Sequence, residues 1–277
     1  MYYCCSPLKT REKYRVMFHL PAYPMEFWVA ALVAVILVGI SKGGFGSGIG
    51  VAATPIIALT ISAADAAALL LPLLIVADIF AVRQYYRRFN KTNLIQLTTG
   101  ALIGIAIGWF YFGYFSNNER ILKLGIGLLA LAFVVFQLGR TYLLGALAER
   151  KPRKGEGVFW GIVAGFVSTL AHVGSPPVLI HLLPQKLTRD VFVGTMVIFF
   201  MIMNLVKLGP YAQLGLLRIG NLTTILVLSP VAYVGVKMGV ALNRRFNDVW
   251  FNRVIYFALM ITAIQLIAGR SIVHLFT

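Results

Sequence analysis

Two stretches of the chain, Gly39–Leu59 and Gly161–His181, share one construction: an apolar helical run that meets glycines, a Ser or Thr and proline inside a membrane-length segment. The first reads Gly39-Ile40-Ser41-Lys42-Gly43-Gly44-Phe45-Gly46-Ser47-Gly48 and leads to Thr54-Pro55. The second runs from Gly161 through Gly165-Phe166 to Ala171-His172-Val173-Gly174-Ser175-Pro176-Pro177. Hydrocarbon supplies no hydrogen bonds, so each backbone group freed by a broken helix costs several kcal/mol unless something else satisfies it. Breaks of this kind survive where the freed groups line a cavity, and a matched pair in two halves of a chain points to a transporter binding site. The feature demands a membrane-embedded, all-helical fold with a polar site at the breaks.

The rest of the chain agrees. Apolar runs of about 20 residues recur, each long enough to cross a hydrocarbon core of ~30 Å. Across the 277 residues 59% are hydrophobic and only 12% charged, and the mean hydropathy is +0.83. The net charge of +16 would suit an acidic partner, but the basic residues sit in short loops between apolar spans. Lys9, Arg11, Lys13 and Arg15 precede the first span; Arg83, Arg87, Arg88 and Lys91 follow the second; Arg140, Arg150, Lys151, Arg153 and Lys154 occupy the centre. That distribution is the one that orients membrane proteins during insertion. No basic face interleaved with aromatics lies outside the spans, so no nucleic-acid partner is expected. Cys4 and Cys5 are adjacent tail residues that suit neither a disulfide nor a metal site. The first 24 residues lack the apolar core of a secretory signal.

Runs bounded by charge give roughly eight spans: Phe27–Ile61 (broken), Ala64–Val82, Leu94–Phe115, Ile121–Gly139, Val158–Leu183 (broken), Val191–Leu208, Leu222–Leu242 and Val254–Ala268. The expected organisation is a cytoplasmic tail (1–24), a first transmembrane repeat (25–140), a cytoplasmic basic linker (141–157) and a second repeat (158–277). Further matches support the duplication. Asn93-Leu94 answers to Asn221-Leu222, Gly104-xxx-Gly108 to Gly235-xxx-Gly239, and Gln137 to Gln265. Asp78 stands seven residues before Tyr85, as Asn204 stands before Tyr211. An even number of spans per repeat implies parallel repeats about an axis along the membrane normal; were the broken segments re-entrant, an inverted pair would follow. The loop Asn243–Arg253 runs against the charge bias under this orientation.

Three pieces together resemble the sulfite exporter TauE/SafE family of membrane transporters from Met25 onward. They are Lys42-Gly43-Gly44-Phe45-Gly46-Ser47-Gly48, the run Ala66 to Leu74 with Asp78, and Ala171 to Pro177 continuing through Leu182-Leu183-Pro184-Gln185. The resemblance implies movement of small anions, including sulfite and organosulfonates, across the bacterial inner membrane. Ser47 and Ser175 stand where glycine would equally be expected, and add a hydroxyl to each break.

The glycine loop exposes backbone amides, and a half-helix starting near Gly48 would present its positive end to an anion. Lys42 adds a full charge; at mid-membrane it should face a cavity or a partner, unless it snorkels to a headgroup, and the glycines Gly43, Gly44, Gly46 and Gly48 also suit close packing. Phe45, Ser47 and Thr54 complete that candidate loop. In the second break Gly174, Ser175, Pro176 and Pro177 start another half-helix, and His172 can hold an anion or pass a proton, or simply pack, since imidazole titrates near neutral pH. Asp78 should face the bundle interior, pairing with Lys42 or Arg83 or carrying a coupling proton, with the neutral Asn204 as its counterpart. Gln137 and Gln265 are expected to bond between helices. Arg83, Lys207 and Lys237 read as snorkelling interface residues, and Tyr85, Tyr86, Trp109 and Trp250 as belt aromatics.

The sequence thus describes a secondary transporter of a small anion whose site lies between two broken helices. It needs no cofactor or metal, its partners are the anionic substrate and the bilayer, and a homo-oligomer is compatible with it. No phosphate-binding loop and no nucleophile elbow appears. The alternatives are a passive anion channel, an intramembrane enzyme using His172 and Asp78, or an assembly protein with both breaks packed shut.

Overall fold

The computed structural model describes residues 23–45, 49–115, 118–147, 153, 155–217, 221–245 and 249–268, and among these it is helical with no strand. Helix α1 (Met25–Ile40) opens into a wider π-helical turn, Ser41–Phe45; a 3-10 turn (Ile49–Ala52) then leads into the short α2 (Ala53–Ala58). Helices α3 (Ala63–Tyr85), α4 (Lys91–Phe115) and α5 (Glu119–Leu147) complete the first half. The second half runs α6 (Glu156–Ala171), α7 (Ser175–Leu182), a 3-10 turn (Leu183–Gln185), α8 (Arg189–Gln213), α9 (Asn221–Arg245) and α10 (Val249–Ala268). Among the described residues 6 helices are long and apolar enough to cross a membrane, drawn from α1, α3, α4, α5, α8 and α9; α6 and the Tyr256–Ala268 part of α10 are shorter apolar helices.

Local chemistry sets the starts. Ser62 caps α3 by accepting from the Asp65 N–H at 3.1 Å while its hydroxyl donates to Asp65 Oδ2 at 2.7 Å, an acidic variant of the capping box. Helix α7 begins Ser175-Pro176-Pro177 behind Gly174; first-turn N–H groups have no partner within a helix, so two prolines there cost little. Turns replace the two long spans read across the breaks. Gly50 packs on Ser41 and Val38, so the chain doubles back beside α1. Gly174 lies against Ser168 and the Ala164 carbonyl, and Gly157, at the start of α6, faces His181 near the end of α7. Both breaks are therefore helical hairpins whose second arm returns along the first. His181 and Gln185 fasten the second return to α4: the Asn93 amide donates to Gln185 Oε1 at 2.7 Å and His181 Nε2 bonds Asn93 Oδ1 at 3.1 Å.

Glycines fix the chain directions. Gly100, Gly104 and Gly108 of α4 meet Val158, Ile162 and Phe166 of α6 in rising order, so these helices run parallel in backbone contact. In the same sense Gly39 lies on Gly235, and Gly43 on Gly239, where α1 meets α9. By contrast Gly194, early in α8, abuts the Arg88 carbonyl at the end of α3, and Gly127, early in α5, abuts Ala263 and Leu266 late in α10. Helices α3 and α8 are therefore antiparallel, as are α5 and α10. Helices α3 and α8, which the sequence matches pair across the two halves, thus run in opposite senses, as the re-entrant alternative expects.

A side chain at Gly104 would strike the α6 backbone at Ile162. Gly104→Leu is expected to destabilise the detergent-solubilised protein by about 1–3 kcal/mol or more, read as a lower thermal midpoint. Gly125→Ala, where nothing lies within 4 Å, should leave that midpoint unchanged or raise it; equal losses would remove the close-approach explanation.

Candidate functional site

Between the two hairpins lies a cavity of about 60 Å³. Its polar lining is Ser41, Lys42, Ser168, His172, Ser175 and Asn204; Val38, Gly50, Val51, Leu74, Val193, Met196, Val197 and Phe200 supply apolar walls. Both breaks, α3 and α8 thus contribute to one space.

Lys42 enters it from the π-helical turn. Its side chain is only 12% exposed, and Nζ lies 2.7 Å from Asp78 Oδ1 and 4.6 Å from the Phe200 ring centre. That excludes snorkelling. Asp78 is fully buried on α3, and its other oxygen accepts from Asn204 Nδ2 at 2.7 Å. Residues at corresponding places in the two halves therefore bond each other at the centre of the bundle. Removing one member of a buried pair commonly costs about 3–5 kcal/mol, so the pair holds α3 and the turn together.

His172 ends α6 in the left-handed conformation, φ 56°, which costs a non-glycine residue about 1–2 kcal/mol. The turn aims its ring at two partners. Nε2 lies 2.9 Å from the Ala67 carbonyl and Nδ1 lies 2.9 Å from Lys207 Nζ. A carbonyl only accepts, so Nε2 carries the hydrogen and Nδ1 accepts from the lysine. Ala67 neighbours Ala68, whose helical partner is the N–H that Pro72 lacks. His172 and Asp78 are each engaged elsewhere and form no acid–base dyad.

Lys207 was expected at an interface and instead is fully buried. Its ammonium donates to Ser168 Oγ at 3.0 Å, to the Ser168 carbonyl at 3.3 Å and to His172. The sequence held the signal: Asn204, Lys207 and Tyr211 follow at helical spacing, so one polar face runs along α8. Tyr211 Oη donates to the Thr169 carbonyl at 2.8 Å, and Tyr85 Oη donates to the Gly43 carbonyl at 3.0 Å. Tyr85, read as a belt aromatic, is thus a buried strap on the first break, and Tyr211 matches it on the second.

The remaining candidates separate. Ser175 lines the cavity with a buried hydroxyl that has no hydrogen-bond partner among the described residues. Thr54 is buried, its hydroxyl likewise without a partner there, outside the cavity lining. Gly43 and Gly174 serve packing, against α9 and against Ser168 and Phe200 respectively. Pro176 and Pro177 sit in the first turn of α7, outside the lining. Gly44 and Phe45 belong to the π-helical turn, with their side chains outside the described residues, as are Gly46, Ser47 and Gly48 entirely. Gln137 donates to Tyr256 Oη at 2.7 Å between α5 and α10. No cluster of metal-ligating side chains occurs among the described residues.

The family model for the sulfite exporter TauE/SafE matches residues 31–266, from α1 to α10. The chain belongs to the TauE/SafE family. It is accordingly a multi-pass membrane protein of a transporter family, and the matched region contains the whole cavity. No curated protein and no solved structure shows a match to the chain.

Tyr211→Phe keeps the ring, which stacks on Phe112 at 5.6 Å, but orphans the Thr169 carbonyl. A loss of about 1–3 kcal/mol is expected, measured as a lower thermal midpoint; an unchanged midpoint would show that the strap contributes nothing.

Proposed function

We propose that this protein is a secondary transporter of a small sulfur-containing anion, held between the two helical hairpins. The observation that carries the reading is the joint lining of one cavity by Lys42 from the first break and by His172 and Ser175 from the second. Lys42 supplies the positive charge, Ser175 an unengaged hydroxyl and Asn204 a polar edge. Apolar walls strengthen these contacts by excluding water. On this measure one water needs about 10–15 Å³, so the space suits an anion of a few non-hydrogen atoms, such as sulfite or a short sulfonate.

The two halves are read as inverted repeats, each a re-entrant hairpin followed by three crossings. The antiparallel crossing of α3 and α8, the Asp78–Asn204 bond and the paired Tyr85 and Tyr211 straps support this. Orientation follows from charge. With these directions Arg83 to Lys91, Arg153, Lys186 with Arg189, and Arg244, Arg245 and Arg253 share one side of the membrane. Basic loops stay in the cytoplasm, which puts the start of α1 outside, opposite to the cytoplasmic N-terminus expected from the basic tail. The loop 243–253 then follows the bias that it otherwise breaks.

Two measurements test these readings. In proteoliposomes Lys42→Met, and the charge-balanced pair Lys42→Met with Asp78→Asn, should weaken sulfite binding about 10- to 100-fold, the worth of a charge-assisted hydrogen bond; wild-type uptake by the balanced pair would remove the anion role of Lys42. For orientation, with Cys4 and Cys5 replaced by Ser, a single cysteine at Asn118 should react with an impermeant maleimide in intact cells. One at Tyr86 should react only after permeabilisation, and the reverse pattern would overturn the assignment.

A further inference from the structure

The buried constellation contains two lysines and one carboxylate. Lys42 and Asp78 neutralise each other across 2.7 Å. Lys207 has three acceptors for its three ammonium hydrogens, all of them neutral: the Ser168 hydroxyl, the Ser168 carbonyl and His172 Nδ1. The hydrogen bonds are complete, yet among the described residues the charge has no counter-charge in contact. Every other group around it is accounted for. Ser168 comes from α6, His172 from the turn after it, and Asn204 and Tyr211 from its own helix, the first bound to Asp78 and the second to the Thr169 carbonyl. The charged groups that act on it across the site are Lys42 and Asp78.

His172 cannot absorb the imbalance. Its Nε2–H is committed to the Ala67 carbonyl, so a second ring proton would place N–H against an ammonium 2.9 Å away. The pair can therefore hold at most one excess proton. An isolated buried ammonium is expensive in apolar surroundings. The two residues that hold it, Ser168 and His172, also line the cavity, whereas Lys207 itself is outside the lining.

We infer that Lys207 is the coupling residue of the transporter: its excess proton and the anion in the cavity bind together, so that one proton accompanies each monovalent anion. With the cavity empty the site bears a net positive charge when Lys207 is protonated; with a monoanion present the four charges cancel. Each ligand thus raises the affinity for the other, as linkage requires. The step is a protonation only: the Lys207 amine takes H⁺ from water and releases it when the anion leaves. Lys207 touches no substrate and acts through the His172 and Ser168 wall. This rests on the anion-site reading above.

The test is calorimetric binding of methanesulfonate, an anion that does not titrate near neutral pH, and of sulfite to the purified full-length protein, in buffers of different ionisation enthalpy. Binding should take up about one proton per methanesulfonate, and affinity should fall toward tenfold per pH unit on the alkaline side, the limit for one linked proton. Lys207→Arg keeps a permanent charge and its donors, so it should bind without proton uptake and with a flat pH profile. Lys207→Gln should bind more weakly and also without uptake; if it fails to fold, the arginine variant decides. Binding by the wild type without proton uptake, or uptake that persists in Lys207→Arg, overturns the coupling role and leaves the anion site standing. Failure of both anions to bind overturns the anion site itself.

Discussion

The pairing of Lys42 with Asp78 is the constraint around which the centre of this bundle is arranged. Neither residue is tolerable alone in hydrocarbon, and each fixes a different piece of backbone: the π-helical turn after α1 and the middle of α3. Once they meet, Asp78 has one oxygen left, and Asn204 fills it from α8. The same contact thus draws the two halves together and stations a cation at the cavity wall. The hydroxyl straps of Tyr85 and Tyr211 then hold the carbonyls that the broken helices leave over. Of the polar groups that line the cavity, the Ser175 hydroxyl is buried with no hydrogen-bond partner among the described residues.

Much of this was readable from the chain. The two interrupted segments, the interior placement of Asp78 and its pairing with Lys42, and the inter-helix role of Gln137 all follow from the cost of polar groups in hydrocarbon. Lys207 was misread because a lysine within a turn or two of a helix end ordinarily reaches a headgroup; its helical spacing to Asn204 and Tyr211 was the better signal. The relation of the halves stayed open in the sequence for a different reason. Periodicity counts apolar segments but carries no sign, and the returning arms α2 and α7 are too short to register beside the runs they follow. Only backbone contacts such as Gly100 on Val158 reveal which way each helix travels. Gly46, Ser47 and Gly48 lie outside the described residues, so the tip of the first break is known only by its flanks.

The seams bear on how such a molecule can move. Helix α1 and the turn after it pack through Gly39 and Gly43 on α9, and α6 packs through Gly161 and Gly165 on α4, so each hairpin is clasped by the second long helix after the hairpin of the opposite half. A rocking motion of one sequence half against the other would tear both backbone seams. The contacts instead define two mixed bodies, one built on α1 with α9 and the other on α6 with α4, with α3 and α8 and their central charges between them. On the proposed transporter reading, alternating access is therefore motion between composite bodies.

That interlocking has a consequence for the molecule's ancestry. A lone half inserted by itself would expose the glycine stripe of its hairpin helix to lipid, where no backbone could lie against it. It could hide that stripe only under the second long helix of another copy inserted the opposite way up. On the proposed inverted-repeat reading, a precursor of half this length would thus have needed to enter the membrane in both senses. Fusion of two copies through an odd number of crossings would have made that accident permanent.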